Sequence, residues 1–223
     1  MPTYSVSKIF GWKGKITKKV SRVCRMFGLT ADRLTERRVC HNCTVQINAG
    51  DIVYITGPSG AGKSVLLREL EKSVPASAKM NLSEIKLPAN KTLLDCIEGD
   101  FLRGLKLLST AGLNDVFTVL NQPANLSDGQ KYRFRLAMAL GSGAKFVFAD
   151  EFCSNLDRIT AAVIAYNIHK FAKRAGMTFI LAASHEDMLL DLAPDVLVVQ
   201  ELSGQTQVIY KQRTRKDAKL QRY

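Results

Sequence analysis

No uninterrupted apolar run in the 223 residues approaches the roughly eighteen positions that a helix needs to cross a bilayer, and the N-terminus lacks the apolar core of a secretion signal. The expected chain is therefore soluble and cytoplasmic. Cysteine is sparse and odd in number: Cys24, Cys40, Cys43, Cys96 and Cys153 are scattered, which suits a reducing compartment better than a disulfide framework. Cys40-His41-Asn42-Cys43 has the look of half a zinc site, but no second ligand pair follows at finger spacing, and His169 and His185 are remote. The two thiols read instead as residues in or beside a buried strand. There is no internal repeat and no low-complexity linker. Acidic residues are also short, 20 against 32 Lys and Arg, for a formal net charge of +12.

That excess is concentrated at the ends. Residues 1–40 carry Lys8, Lys13, Lys15, Lys18, Lys19, Arg22, Arg25, Arg33, Arg37 and Arg38 against Asp32 and Glu36, and the C-terminus adds Lys211, Arg213, Arg215, Lys216, Lys219 and Arg222. Such ends can track a polyphosphate backbone, lie on an anionic surface, or be solvated arms.

What is present centres on Gly57-Pro58-Ser59-Gly60-Ala61-Gly62-Lys63-Ser64, with the apolar run Ile52 to Thr56 before it and a helical pattern from Val65 after it. Strand, glycine-rich turn and helix in this order form a phosphate-binding loop. Glycines let the backbone wrap a phosphate chain with its N–H groups inward, and the helix N-terminus adds its positive dipole end. Lys63 is expected to reach the β- and γ-phosphates and Ser64 to offer its hydroxyl to Mg²⁺.

In chain order, residues 1–20 read as a loose arm, Ser21 to Leu29 as a first strand, and Val39 to Ile47 as a half-buried strand by its period of two. The phosphate-loop helix carries Leu66, Leu70 and Val74 on one face and ends at Pro75. Residues 79–87 suggest another strand. Leu93–Ile97, Phe101–Leu108 and Val116–Leu120 read as short helical pieces of a small subdomain. A helix over Gln130–Leu140, a buried strand over Phe146–Ala149, a long helix from about Asp157 to Arg174, a buried strand at Thr178–Ala183 and a closing hairpin through Ser203-Gly204 complete the pattern. Strands alternating with helices, several uniformly apolar, imply an α/β fold with a largely parallel sheet covered on both faces.

Asp150 and Glu151 follow a strand directly, so they emerge at the carboxyl edge of the sheet, where the phosphate loop also lies. One acid can hold Mg²⁺ while its neighbour orients water. Ser127, in Leu126-Ser127-Asp128-Gly129-Gln130, is placed to cap the helix that follows, a second anion site. The ordered set of phosphate loop, LSDGQ, FVFADE, Ser154 to Asp157 and a lone His185 past a strand strongly resembles the ATP-binding-cassette (ABC) ATPases over roughly residues 39–200. Their signature is usually LSGGQ, so Asp128 is a departure.

The resemblance implies a P-loop ATPase of ABC type with an antiparallel β portion and a small helical subdomain, binding ATP and Mg²⁺ and hydrolysing ATP. It implies that residues Gly57 to Ser64 and Val65 hold the nucleotide and that Ser64 and Asp150 hold Mg²⁺. Lys63, Glu151 as general base and His185 as the γ-phosphate switch are the implied catalytic residues. Ser127, Gly129 and Gln130 would meet the ATP of a second protomer in an ATP-dependent head-to-tail homodimer. Phe27 is the best local match to the aromatic that stacks on adenine, with Tyr4, Phe10 and Trp12 as alternatives. The family's glutamine after the strand preceding the helical subdomain has no counterpart between Lys63 and Gln122, and Glu84 or Asn90 would have to stand in for it.

The expected organisation is a basic arm and first strand at 1–38, an ABC ATPase domain at 39–210 with a helical subdomain at about 88–142, and a basic tail at 211–223. The missing glutamine and the compact stretch from Ser64 to Leu126 turn the expectation toward a stand-alone ATPase acting on nucleic acid or another macromolecule, an unidentified protein included. The alternative is the ATP-binding subunit of a transporter whose membrane chain is separate.

Overall fold

The computed structural model describes residues 2–11, 14–36 and 38–211. Its largest sheet has six strands in the order β4-β5-β6-β3-β7-β8: β3 (Ile52–Thr56), β4 (Lys79–Asn81), β5 (Phe146–Ala149), β6 (Thr178–Ala182), β7 (Val196–Gln200) and β8 (Thr206–Tyr210). Every neighbouring pair is parallel except β7 with β8, which closes as an antiparallel hairpin. Central β3 is buried at all five positions, as a parallel strand covered on both faces must be.

The period of two divides the core. Ile52 and Tyr54 on β3, Val147 and Ala149 on β5 and Phe179 and Leu181 on β6 face one apolar cluster. That cluster also holds residues from α4 (Phe101–Thr110), α5 (Val116–Val119), α6 (Asp128–Gly141) and α7 (Arg158–Ala175). Val53, Ile55, Phe148, Ile180 and Ala182 face the other cluster, where Leu66, Leu67 and Leu70 of α3 (Lys63–Lys72) meet Val6, Cys43 and Val45. Each fully buried leucine such as Leu70 contributes about 1.5–3 kcal/mol relative to exposure. At the start of β3, the Asp195 carboxylate accepts from the Ile52 N–H at 2.8 Å and from Lys173 Nζ at 2.7 Å.

Val6, Cys43 and Val45 belong to a second, two-stranded antiparallel sheet of β1 (Thr3–Gly11) and β2 (Arg38–Gln46), in register from Thr3 opposite Gln46 to Gly11 opposite Arg38. The expected loose arm is thus a strand over much of its length. Its signal is weak because the inward positions are Tyr4, Val6 and Lys8, and Lys8 reaches Glu69 of α3 at 3.3 Å instead of burying an apolar end. Residues 21–26 are helical, not extended, and 27–29 form a turn and loop: α1 (Lys18–Met26) is followed by α2 (Ala31–Glu36). Thr17 caps α1 by accepting from the Val20 N–H at 3.3 Å, and Val20, Cys24 and Phe27 recur at helical spacing. Only Lys79–Asn81 of the expected 79–87 strand pairs into the sheet, and Leu93–Ile97 is a turn held by Thr92, whose hydroxyl donates to Asp95.

Candidate functional site

The phosphate loop leaves β3 through Gly57, whose φ of +141° suits glycine alone. A Cβ there would lie 2.1 Å from the Gln200 carbonyl oxygen, so the loop is wedged against the end of β7. The helix α3 starts at Gly62 with no side-chain cap. Among the described residues, the N–H groups of Gly60, Gly62, Lys63 and Ser64 donate to no protein acceptor. Four unpaired donors around a helix start, added to the helix dipole, form a concave anion cradle.

Lys63 Nζ folds over this cradle and donates to Gly57 O at 2.8 Å and Pro58 O at 2.9 Å. Burial holds its pKa below the ordinary lysine value, while the nearby Asp150 carboxylate pulls the other way. Ser64 Oγ donates to Asp150 Oδ1 at 3.0 Å, and the same oxygen accepts from the Glu151 N–H at 3.1 Å. No group of three or more His, Cys, Asp or Glu able to hold a metal occurs among the described residues. A hydroxyl and one carboxylate are nevertheless the hard-oxygen set that suits Mg²⁺, which keeps waters and phosphate oxygens as its remaining ligands.

Glu151 has φ +50° and Cys153 φ +58°, both unusual for residues with a side chain. Surrounding bonds hold this turn: the Phe152 N–H donates to Ala182 O at 2.8 Å, and the Cys153 N–H donates to the Tyr132 hydroxyl at 3.1 Å. Such enforced backbone is the kind found at functional turns. His185, exposed just past β6, has its carbonyl held by the Tyr54 hydroxyl.

At the start of α6, Ser127 Oγ accepts from the Gln130 N–H at 3.3 Å and Gln130 Oε1 accepts from the Ser127 N–H at 2.9 Å, a complete capping box. A Cβ on Gly129 would lie 3.3 Å from Leu156 and 3.6 Å from Asn155 O, so this helix start packs on the Ser154–Asp157 turn. The Asp128 side chain is 95% exposed, so the departure from glycine there meets no steric obstacle. No hydrogen bond or ion pair joins residues 126–130 to residues 57–65 among the described residues. The structure therefore gathers Lys63, Ser64, Asp150 and the Glu151 backbone into one neighbourhood, to which the signature residues make no hydrogen bond among the described residues.

The adenine candidates fare differently. Phe27 caps the C-terminus of α1, 75% exposed, and does not lie in a strand. Tyr4 packs edge-on against Phe146, with ring centroids 6.3 Å apart. The Phe10 side chain and Trp12 lie outside the described residues, as do the Cys40 and His41 side chains of the half zinc site. Burial pushes the Cys43 thiol up to about 11, as expected of a core thiol. Glu84 and Asn90 are both exposed.

Sequence reasoning missed two features. Tyr54 and Tyr132 carried no recognisable motif. A groove of about 790 Å³ between residues 83–89 and α6 is lined by Ile85, Leu87, Pro88, Glu84, Lys131 and Arg135 among others. It arises from segments distant in sequence.

The ABC transporter family model matches residues 40–95. The aliphatic sulfonates import ATP-binding protein SsuB of Yersinia pestis is 31% identical over 192 residues, covering 76% of this chain and 70% of the relative. The chain belongs to the ABC ATPase family. A second relative of this ABC ATPase, the methionine import ATP-binding protein MetN of Streptococcus agalactiae, is 28% identical over 197 residues. The match covers 70% of this chain but only 55% of MetN, so the chain spans about half the length of that relative. Among solved structures, the dimeric ABC transporter cassette MJ0796 superposes with a TM-score of 0.63 at 19% identity, over 80% of this chain and 94% of that one. At that identity the likeness speaks for the fold, and the ABC cassette fold is what it shows: a mostly parallel sheet flanked by helices, with a small antiparallel sheet.

These relatives overturn the expectation of a stand-alone ATPase acting on nucleic acid, because they are named as import ATP-binding proteins. Within the stretch from Ser64 to Leu126, residues 83–89 with Pro123 and Ala124 line the groove. Of the basic ends, residues 212–223 lie outside the described residues. Among the described residues no helix is long and apolar enough to cross a membrane.

Proposed function

We propose that this ABC ATPase is the ATP-binding and ATP-hydrolysing subunit of a membrane transporter whose membrane-spanning chain is separate, lying at that chain's cytoplasmic side. The observation that carries the hydrolytic half is the cradle of unpaired N–H groups beside Lys63, with the Ser64–Asp150 hydrogen bond at its rim. In this reading Gly57 to Val65 hold the ATP phosphates, and Lys63 exchanges its two carbonyl partners for β- and γ-phosphate oxygens. Ser64 and Asp150 would hold Mg²⁺, which would supply positive charge to the phosphates. Glu151 accepts a proton from water as its oxygen attacks the γ-phosphorus. The bond from that phosphorus to the bridging oxygen breaks, releasing ADP, and His185 contacts the leaving phosphate.

Ser127, Gly129 and Gln130 complete the site from a second copy, so the active species is an ATP-dependent head-to-tail homodimer. That they make no hydrogen bond to the phosphate loop of their own chain, among the described residues, supports this reading. Residues 39–210 are taken as the cassette, with 88–142 as its helical part.

The transport half is supported by the import relatives and by the groove, whose apolar Ile85, Leu87 and Pro88 and cationic Lys131 and Arg135 suit a short amphipathic helix from the membrane chain. The test is purification of the tagged chain from detergent-solubilised membranes of its own cell. An integral membrane chain is expected to co-purify, and Ala89→Trp or Lys131→Glu in the groove is expected to release it while ATP binding persists. Recovery without any membrane chain in every nucleotide state would defeat the transporter reading and leave the ATPase reading standing.

A further inference from the structure

One buried and one half-buried phenol, Tyr54 and Tyr132, lie beneath the catalytic edge, and the chemistry described so far uses neither. Tyr54 sits on β3, three residues before Gly57, with a fully buried side chain, and its hydroxyl donates to the backbone carbonyl of His185. Tyr132 sits on α6, five residues after Ser127, and its hydroxyl accepts from the Cys153 N–H at 3.1 Å. Burial raises the pKa of both phenols well above the ordinary tyrosine value, with the neighbouring Cys153 adding to each shift. Both therefore stay protonated at any physiological pH. Cys153 bonds to the Tyr132 hydroxyl through its N–H and acts electrostatically on both phenols.

The bonds meet the backbone at consequential points. Glu151 and Cys153 hold positive φ, and the Tyr132 hydroxyl satisfies the Cys153 N–H, one of the donors exposed by that conformation. His185 has an exposed side chain and stands in a segment without helix or strand. The Tyr54 bond fixes its carbonyl relative to the strand that delivers the phosphate loop.

We propose that Tyr54 and Tyr132 are positioning residues for hydrolysis: Tyr54 sets the His185 loop against the phosphate-loop strand, and Tyr132 sets the Glu151 turn against the signature helix. Neither touches ATP. Together they link, inside one chain, the four segments that must agree at the moment the γ-phosphate is attacked. A displacement of α6 by the membrane chain would be transmitted to Glu151 through Tyr132. The inference rests on the roles given to Glu151 and His185 above.

Phenylalanine keeps each ring and removes only the bond. The test is steady-state ATP hydrolysis by the full chain carrying Tyr54→Phe or Tyr132→Phe, with nucleotide affinity and melting temperature measured alongside. Each is expected to lower kcat about tenfold, the upper range for one neutral hydrogen bond, with KM for ATP within about twofold of the parent. The decisive readout is non-additivity: Tyr54→Phe should have no further effect in a His185→Ala background, nor Tyr132→Phe in a Glu151→Gln background. A parental kcat for either single variant overturns the role of that tyrosine. So does the same fold-loss persisting in the matching background, or a rise in KM that tracks a fall in melting temperature. If His185→Ala itself hydrolyses ATP at the parental rate, the reading of His185 fails and the Tyr54 assignment with it. If His185→Ala is slow and Tyr54→Phe is not, only the inference made here fails.

Discussion

Replacing Gly57 by alanine separates two costs that usually come together. The new Cβ would sit 2.1 Å from Gln200 O, more than 1 Å inside an ordinary contact, and 3.1 Å from its carbonyl carbon. Gln200 cannot easily recede. It is fully buried, its side chain accepts from Thr206 Oγ1 at 2.7 Å, and its strand is paired with β3 from Val53 to Thr56. Forcing a residue with a side chain to φ +141° costs about 1–3 kcal/mol, and overpacking against fixed backbone costs about as much again, for a total of about 2–6 kcal/mol. At about 2–4 °C per kcal/mol for a chain of this size, the melting temperature should fall on the order of 5–20 °C. Gly60→Ala is the control, because its φ is +82° yet nothing lies within 4 Å of the added carbon. It should cost only the conformational part, about 1–2 kcal/mol. Nucleotide-free melts followed by circular dichroism compare the two. Equal shifts would refute the steric argument and imply that the end of β7 yields.

Lys63→Ala should abolish ATP binding, whereas Glu151→Gln should bind normally and hydrolyse about a hundredfold more slowly or worse, as removal of a general base predicts; equilibrium binding and phosphate release check both. Sedimentation should show a dimer only with ATP and Mg²⁺, best in Glu151→Gln, and a monomer at every concentration would remove the composite site. Burial raises the Cys43 thiol from 9.0 to about 11, so it should resist alkylation at pH 8 unless the chain is unfolded. Because that shift is upward, the stability it represents is fully present below about pH 9 and is lost as pH rises toward 11, a loss that Cys43→Ala should flatten in urea titrations.

The sequence was most legible where pattern and burial coincide. Ile52–Thr56 and Phe146–Ala149 are almost wholly apolar runs and are the strands they were expected to be, because a strand covered on both faces is built mostly of apolar residues. The start of α7 was equally clear, since Asp157 accepts from the Thr160 N–H at 2.9 Å in the position its residue type favours. Legibility failed where one long polar side chain replaced an apolar one, as Lys8 does on β1, or where a helix packs little of its surface. Of α1, only Cys24 is buried, while Val23 and Met26 remain exposed, so its apolar pattern does not announce a core face. Tyr54 and Tyr132 were unreadable for a different reason: each looks like one more core aromatic until its hydroxyl is seen to meet a loop.

The groove shows why one missing residue misled the functional expectation. The glutamine sought after β4 is a side chain, but the groove is made by backbone course. After β4 the chain turns through Leu82–Glu84, Leu82 is buried against the core, and Ile85 and Leu87 pack partly against it. Arg135 Nε then donates to Ile85 O at 3.3 Å, tying the wall to the signature helix from the other side. None of these interactions needs glutamine. A docking helix would meet apolar shape together with the positive charge of Lys86, Lys131 and Arg135, residues some fifty positions apart that converge only once α6 lies beside the 83–89 segment. The absence of one residue type therefore excludes one way of sensing a partner. It does not exclude the surface that receives it.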